Sequence, residues 1–251
     1  MLWLAARLAL IGLMAAALSC ASGERGPPLA TTRPPTASSP AAHAAGAAGF
    51  AVPFADAPAI DGQVDEREWS RAAAISLGRG VSLHIMHDGV RVYLATSGLD
   101  RSDGIGFGCL FIAEPDQIRV LHASAKLGSA IYTRAAGGTF RPRSRTYDWR
   151  RAELLLREEG WMASTMRMEG SREQEFALTF ERLGLPESPR PVAFGYFFQK
   201  PDATDLSTAS ALVWPSGLND AVAEVELLAG YNPDGLRFEP NRWVFLQPQS
   251  R

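Results

Sequence analysis

The side chains here that could do chemistry are four histidines, a serine near a lysine, scattered loop carboxylates and one aromatic, basic run. His43 lies in a low-complexity stretch, and His84 and His87 sit three apart on an alternating segment. Side chains three apart on a strand point to opposite faces, so these two cannot share a metal ion. Leu121-His-Ala-Ser124 precedes Lys126 and would suit nucleophilic catalysis only if a base reached Ser124. No Gly-x-Ser-x-Gly elbow is present to present such a serine. Glycoside hydrolysis needs two carboxylates across a cleft, and no acidic pair stands out. Asp100, Asp103 and Asp116 carry oxygen donors of the kind calcium takes, without the spacing of an EF-hand loop. The expectation is no catalytic residue, no metal and no cofactor.

Binding chemistry is better represented. Tyr147-Asp148-Trp149, bracketed by Arg145, Arg150 and Arg151, puts flat aromatic faces beside planar hydrogen-bonding groups. A sugar-binding groove uses that combination. Trp214, in Val213-Trp-Pro-Ser216, is a second aromatic at a strand end. Tyr147, Asp148, Trp149, Arg150 and Trp214 are therefore the candidate carbohydrate-binding residues. The competing role for each tryptophan is packing in or beside the core. The basic run equally suits anionic polymers or lipid headgroups.

The elements that must position these residues are read mostly as strands. The domain opens with Ala57-Pro-Ala-Ile-Asp-Gly-Gln-Val-Asp-Glu-Arg-Glu-Trp69-Ser-Arg-Ala72. Pro58 enforces an extended approach, Asp61-Gly62 turns the chain, and Asp65 is placed to cap a short helical turn. Trp69 and Ala72 then share one face of that turn. Val81, Leu83 and Ile85 alternate with polar or sulfur-bearing neighbours, and His87-Asp88-Gly89 reads as a hairpin turn before Val90, Val92 and Leu94. Phe107–Ala113 is apolar on both faces and predicts a central strand, returned by Ile118–Ala123. Ala152–Arg157 and Trp161–Met168 are read as strands, with Gly137–Arg151 as a long basic loop between sheets. Phe176, Leu178 and Phe180 alternate in a further strand. Val192–Phe198, Val222–Leu228 and Trp243–Leu246 complete the set.

The Ile-Asp-Gly-x-x-Asp-Glu-x-x-Trp-x-x-Ala run resembles the opening of domains related to family 9 carbohydrate-binding modules, β-sandwiches of the DOMON group. Glu175-Phe-Ala-Leu-Thr-Phe-Glu-Arg-Leu-Gly-Leu185 is similar to a second segment of that family, with Thr179 where the family carries proline. The resemblance spans about residues 57 to 230. It implies an all-β, antiparallel sandwich with few short helices and a non-catalytic binding role. Some DOMON relatives hold haem through methionine and histidine, and Met86 and His122 are the residue types available here. Nothing in their spacing selects them.

With 25 basic and 27 acidic residues and a net charge of −2, the chain lacks the basic footprint of a nucleic-acid binder. Arg7, the apolar run Leu8–Leu18 and Ser19-Cys20-Ala21 read as an export signal, too short for a spanning helix. Ala17-Leu18-Ser19-Cys20 resembles a bacterial lipobox, which predicts a signal peptide over 1–19 and lipid on Cys20. Residues 20–49 are then a Pro- and Ala-rich tether, and 50–251 a single sandwich domain. Cys109, the only other cysteine, falls in an apolar strand and is expected to be a packed thiol. Ala21 after the cysteine resembles the outer-membrane sorting pattern, implying a lipoprotein of the periplasmic side or cell surface. The expected function is non-catalytic binding of an envelope or extracellular glycan. The alternative is an envelope protein-interaction or assembly module without a sugar site.

Overall fold

Alternation of apolar and polar residues, broken by glycine-bearing turns, produces two mainly antiparallel sheets. The computed structural model describes residues 48–98, 105–148, 152–165, 173–199, 210–218 and 235–251. Among the described residues there are thirteen strands: β1 (Ala48–Val52), β2 (Ala73–Gly78), β3 (Val81–His87), β4 (Arg91–Ser97), β5 (Ile105–Glu114), β6 (Gln117–Ala123), β7 (Leu127–Arg134), β8 (Phe140–Asp148), β9 (Trp161–Ala163), β10 (Gln174–Thr179), β11 (Pro191–Gln199), β12 (Ser210–Trp214) and β13 (Val244–Pro248). Short α-helices interrupt them: α1 (Glu66–Trp69), α2 (Ala152–Glu159) and α3 (Phe180–Leu183). These elements fall in one unit spanning His43–Arg251. The larger sheet runs β1-β13-β11-β5-β6-β7-β8, with β12 also on β11, and the smaller runs β2-β3-β4-β10-β9. Pairing is antiparallel except between β1 and β13.

The sheets face each other across a core shared by both. Leu83, Ile85 and Leu94 of the smaller sheet pack with Leu110, Ile112 and Leu121 of the larger. Each such side chain contributes about 2 kcal/mol when buried, so this face dominates the stability of the fold. A second apolar layer, including Phe111, Tyr132, Phe140, Phe238 and Trp243, forms a cluster of its own. A third gathers Trp69, Met86 and Tyr93. The fold is all-β with two sheets, as the alternation implied.

Three local expectations are corrected. Ala152–Glu159 is helix α2, not strand. Its Ala-Glu-Leu-Leu-Leu-Arg-Glu-Glu run is made of strong helix formers, and its buried residues Ala152 and Leu155 stand at helical spacing. The strand after it covers only Trp161–Ala163. The presumed basic loop contains β8, the edge strand of the larger sheet. Proline and arginine suit an edge, because Pro142 need not donate to a neighbour and charge discourages unwanted pairing. Val222–Leu228 lies outside the described residues. No helix among the described residues is long and apolar enough to cross a membrane.

Candidate functional site

The opening motif is a docking device built on one carboxylate. Asp65 caps α1 by accepting from the Arg67 N–H, and Trp69 drops into the core. Glu175, on β10 and fully buried, receives three donors. Its Oε2 accepts from the Asp61 N–H at 2.9 Å and the Gly62 N–H at 2.7 Å. Its Oε1 accepts from the Trp69 indole N–H at 3.1 Å. Beside it, Glu173 accepts from the Val64 N–H at 2.7 Å. Gly62 has a φ of 83°, the left-handed conformation that lets both turn amides point at Glu175. Thr179 caps α3 by accepting from the Arg182 N–H, and Gly184 ends that helix with φ of 71°. These motif residues build the fold.

The histidines divide as their spacing predicts. His84 contacts Ser97 and the Trp69 ring, whereas His87 is buried between Phe54 and Phe180. The His87 Nδ1 accepts from the Gly89 N–H at 3.1 Å, so its Nε2 carries the proton and donates to the Gln249 carbonyl at 3.0 Å. A second proton would face the Gly89 N–H. Burial holds both imidazoles below the ordinary 6.5. Such groups favour the folded state above pH 6.5, and that contribution is lost as pH falls through their lowered folded values. Urea midpoints measured down the acid limb should therefore fall, and His87→Phe should flatten part of that slope.

His122 is the base that reaches Ser124. Ser124 follows the last residue of β6, where the chain bends, and its Oγ lies 2.9 Å from the His122 Nε2. The His122 Nδ1 lies 3.4 Å from the sulfur of Cys109, whose side chain is completely buried. The Ser124 hydroxyl donates to the Lys126 carbonyl at 3.3 Å. Protons then run in one direction, thiol to Nδ1 and Nε2–H to Oγ, and leave Nε2 with no lone pair for the serine proton. The arrangement ties a turn to the sheet. Met86 and His122 belong to different sheets, Met86 packing with Trp69 and Tyr93 and His122 beside Cys109, and do not form a haem pair.

The aromatic candidates separate. Trp214 is only 6% exposed and meets Phe50 edge-on at 5.2 Å, with no open face for a sugar; as placed it is a core residue. Trp69, Trp161 and Trp243 are likewise buried. Tyr147 and Asp148 end β8, paired with Gly128 and Leu127. Trp149, Arg150, Cys20, Asp100 and Asp103 lie outside the described residues. Along β8, Arg141 and Arg143 are exposed. On its outer side, among the described residues, β8 meets only the bridge between Phe140 and Leu236.

One charged cluster escaped sequence reasoning altogether. Glu114, closing β5, gathers Arg119, Arg182 and Arg190 from β6, α3 and the segment before β11. Arg119 lies across the β5–β6 hairpin from Glu114, but Arg182 and Arg190 are remote from it in sequence, so only the fold could bring the cluster together. No family model matches the chain, and neither the curated proteins nor the solved structures contain a significant match.

Proposed function

We propose that this chain is a non-catalytic, exported and lipid-anchored binding module for an envelope or extracellular glycan. The end of β8 is its contact element. The observation that supports this reading is the position of Arg141–Asp148 on the outer edge of the larger sheet. That strand carries exposed arginines, includes Tyr147 and leads directly into Trp149 and Arg150. Aromatic faces with flanking guanidinium groups recognise sugars by stacking and by planar hydrogen bonds. The anchor, through Cys20, would hold the module at a membrane surface while the tether gives it reach.

A second reading uses the same edge differently. An unpaired strand edge can accept an extended segment of another protein by strand addition. Pro142 and the bulge opposite Ile131 and Tyr132 interrupt the regular ladder needed for that, which favours the glycan reading.

Titration calorimetry with neutral and acidic oligosaccharides on the full chain tests the proposal. Saturable binding that weakens about tenfold in Trp149→Ala, as removal of an aromatic anchor does, is the expected result. Absence of binding across the panel, with the fold intact, would remove the glycan reading and favour the strand-addition one.

A further inference from the structure

The charged cluster on Glu114 carries more positive charge than its structural role requires. The Glu114 Oε1 lies 3.3 Å from Arg119 Nε, 3.7 Å from Arg182 Nη1 and 3.5 Å from Arg190 Nη1. Its Oε2 accepts from the Gln117 amide. Three guanidinium groups thus share one carboxylate, and the Glu159 carboxylate also acts on Arg182. That group is itself bonded to the Trp161 indole at 3.2 Å. Counting both acids, the cluster keeps about one unit of positive charge in a half-buried place, where screening by water is weak.

The donors are unequally used. Arg182 spends Nε and Nη2 on the Glu159 carbonyl, at 2.8 and 2.7 Å. Arg190 spends Nη1 on the Arg182 carbonyl at 2.8 Å. Arg119 donates through Nε alone, to Glu114. The two terminal nitrogens of Arg119, and Nε and Nη2 of Arg190, take no protein acceptor among the described residues. Arg190 is the open side of the cluster, its side chain 33% exposed against 16% for Arg119 and 17% for Arg182. Burial and the neighbouring Arg119 and Arg190 press the Arg182 pKa down, a sign that like-charge repulsion is not fully relieved.

We propose that this cluster is a binding site for a tetrahedral oxyanion, phosphate or sulfate, held by the unused donors of Arg119 and Arg190. Guanidinium forks match such an anion with paired, charge-assisted hydrogen bonds. Glu114 keeps the three arginines converged, and the anion supplies the missing negative charge. The strand registers place this site at the opposite end of the sheet from Tyr147 and Asp148. It therefore stands independently of the glycan reading.

Calorimetric titration of the full chain with inorganic phosphate at fixed ionic strength tests the assignment, with sulfate as competitor and a phosphorylated monosaccharide against its neutral parent. Expected are saturable binding, displacement by sulfate, and about tenfold weaker binding in Arg190→Gln, the loss of one charge-assisted contact. Arg67→Gln, at an exposed arginine of α1 outside the cluster, should bind as the wild type does. Tighter binding of the phosphorylated sugar than of phosphate would identify a group borne on a larger molecule. Equal affinity for both would identify the free ion. Failure of phosphate to bind, or equal affinity in Arg190→Gln and wild type, would overturn the assignment. Should Arg190→Gln not fold, phenylglyoxal labelling of the wild type gives a second test. Phosphate should slow modification of Arg190 but not of Arg143, and equal labelling of Arg190 with and without phosphate would overturn the site.

Discussion

Replacing Glu175 by leucine is expected to destabilise the fold by about 4 kcal/mol, because it strands buried donors that nothing else can satisfy. The leucine would fill the space but leave the Gly62 N–H and the Trp69 indole N–H without acceptors. The Asp61 N–H, nearer the surface, can turn to water. Glu175→Gln should cost about half as much, since its oxygen can keep the two turn amides while its amide nitrogen confronts the indole N–H. Adding Trp69→Phe to the glutamine variant should then cost less than it does in the wild type, because the opposed donors are gone. Burial raises the Glu175 pKa from 4.5 to about 7, although the turn amides and the indole pull it down. A raised carboxylate favours the folded state fully below pH 4.5, and that contribution is lost as pH rises to about 7. The change across that window is at most about 3 kcal/mol. Glu175→Gln should lack this slope, so its deficit relative to wild type should narrow as pH rises. Urea unfolding followed by circular dichroism at several pH values checks each point. A leucine variant as stable as wild type would show that the opening segment is not held by this carboxylate.

The second large effect is expected at Glu114. Substitution by glutamine leaves Arg119, Arg182 and Arg190 converged with no carboxylate among them. Removing one partner of a buried pair costs several kcal/mol, and the opening at Arg190 reduces this to about 2 kcal/mol. The penalty should be smaller in the background of Arg190→Gln, where one source of repulsion has been removed. A double-mutant cycle by urea unfolding measures that coupling. Strict additivity would mean that the arginines do not depend on Glu114.

The contrast between these two carboxylates explains what was legible in the sequence. The segment that Glu175 receives is local and carries its own signals: Asp61-Gly62 for the turn, Asp65 for the cap and Trp69 for the plug. The hairpin at Asp88-Gly89 was legible for the same reason, since Asp88 accepts from the Val90 and Arg91 amides at 2.8 and 2.7 Å. Glu175 itself was visible only as a letter in a resembling motif, because its partners lie more than a hundred residues away. The Glu114 cluster had no local signal of any kind. Strand β8 was hidden by Pro142 and its arginines, which suit an edge strand but read as a loop. Helix α2 was mistaken for strand because three consecutive leucines carry no period by themselves. Trp214 had two chemically reasonable roles, and its contact with Phe50 supplies the choice the sequence lacked.

The most direct test of the proposed binding role is intrinsic tryptophan fluorescence of the full chain during oligosaccharide titration. Of the six tryptophans, Trp69, Trp161, Trp214 and Trp243 are buried and Trp3 falls in the proposed signal peptide, so a response to ligand should report chiefly on Trp149. A saturable spectral shift that disappears in Trp149→Phe, while unfolding midpoints stay unchanged, is the predicted result. A flat titration, or a shift that survives Trp149→Phe, would contradict a sugar site at the end of β8.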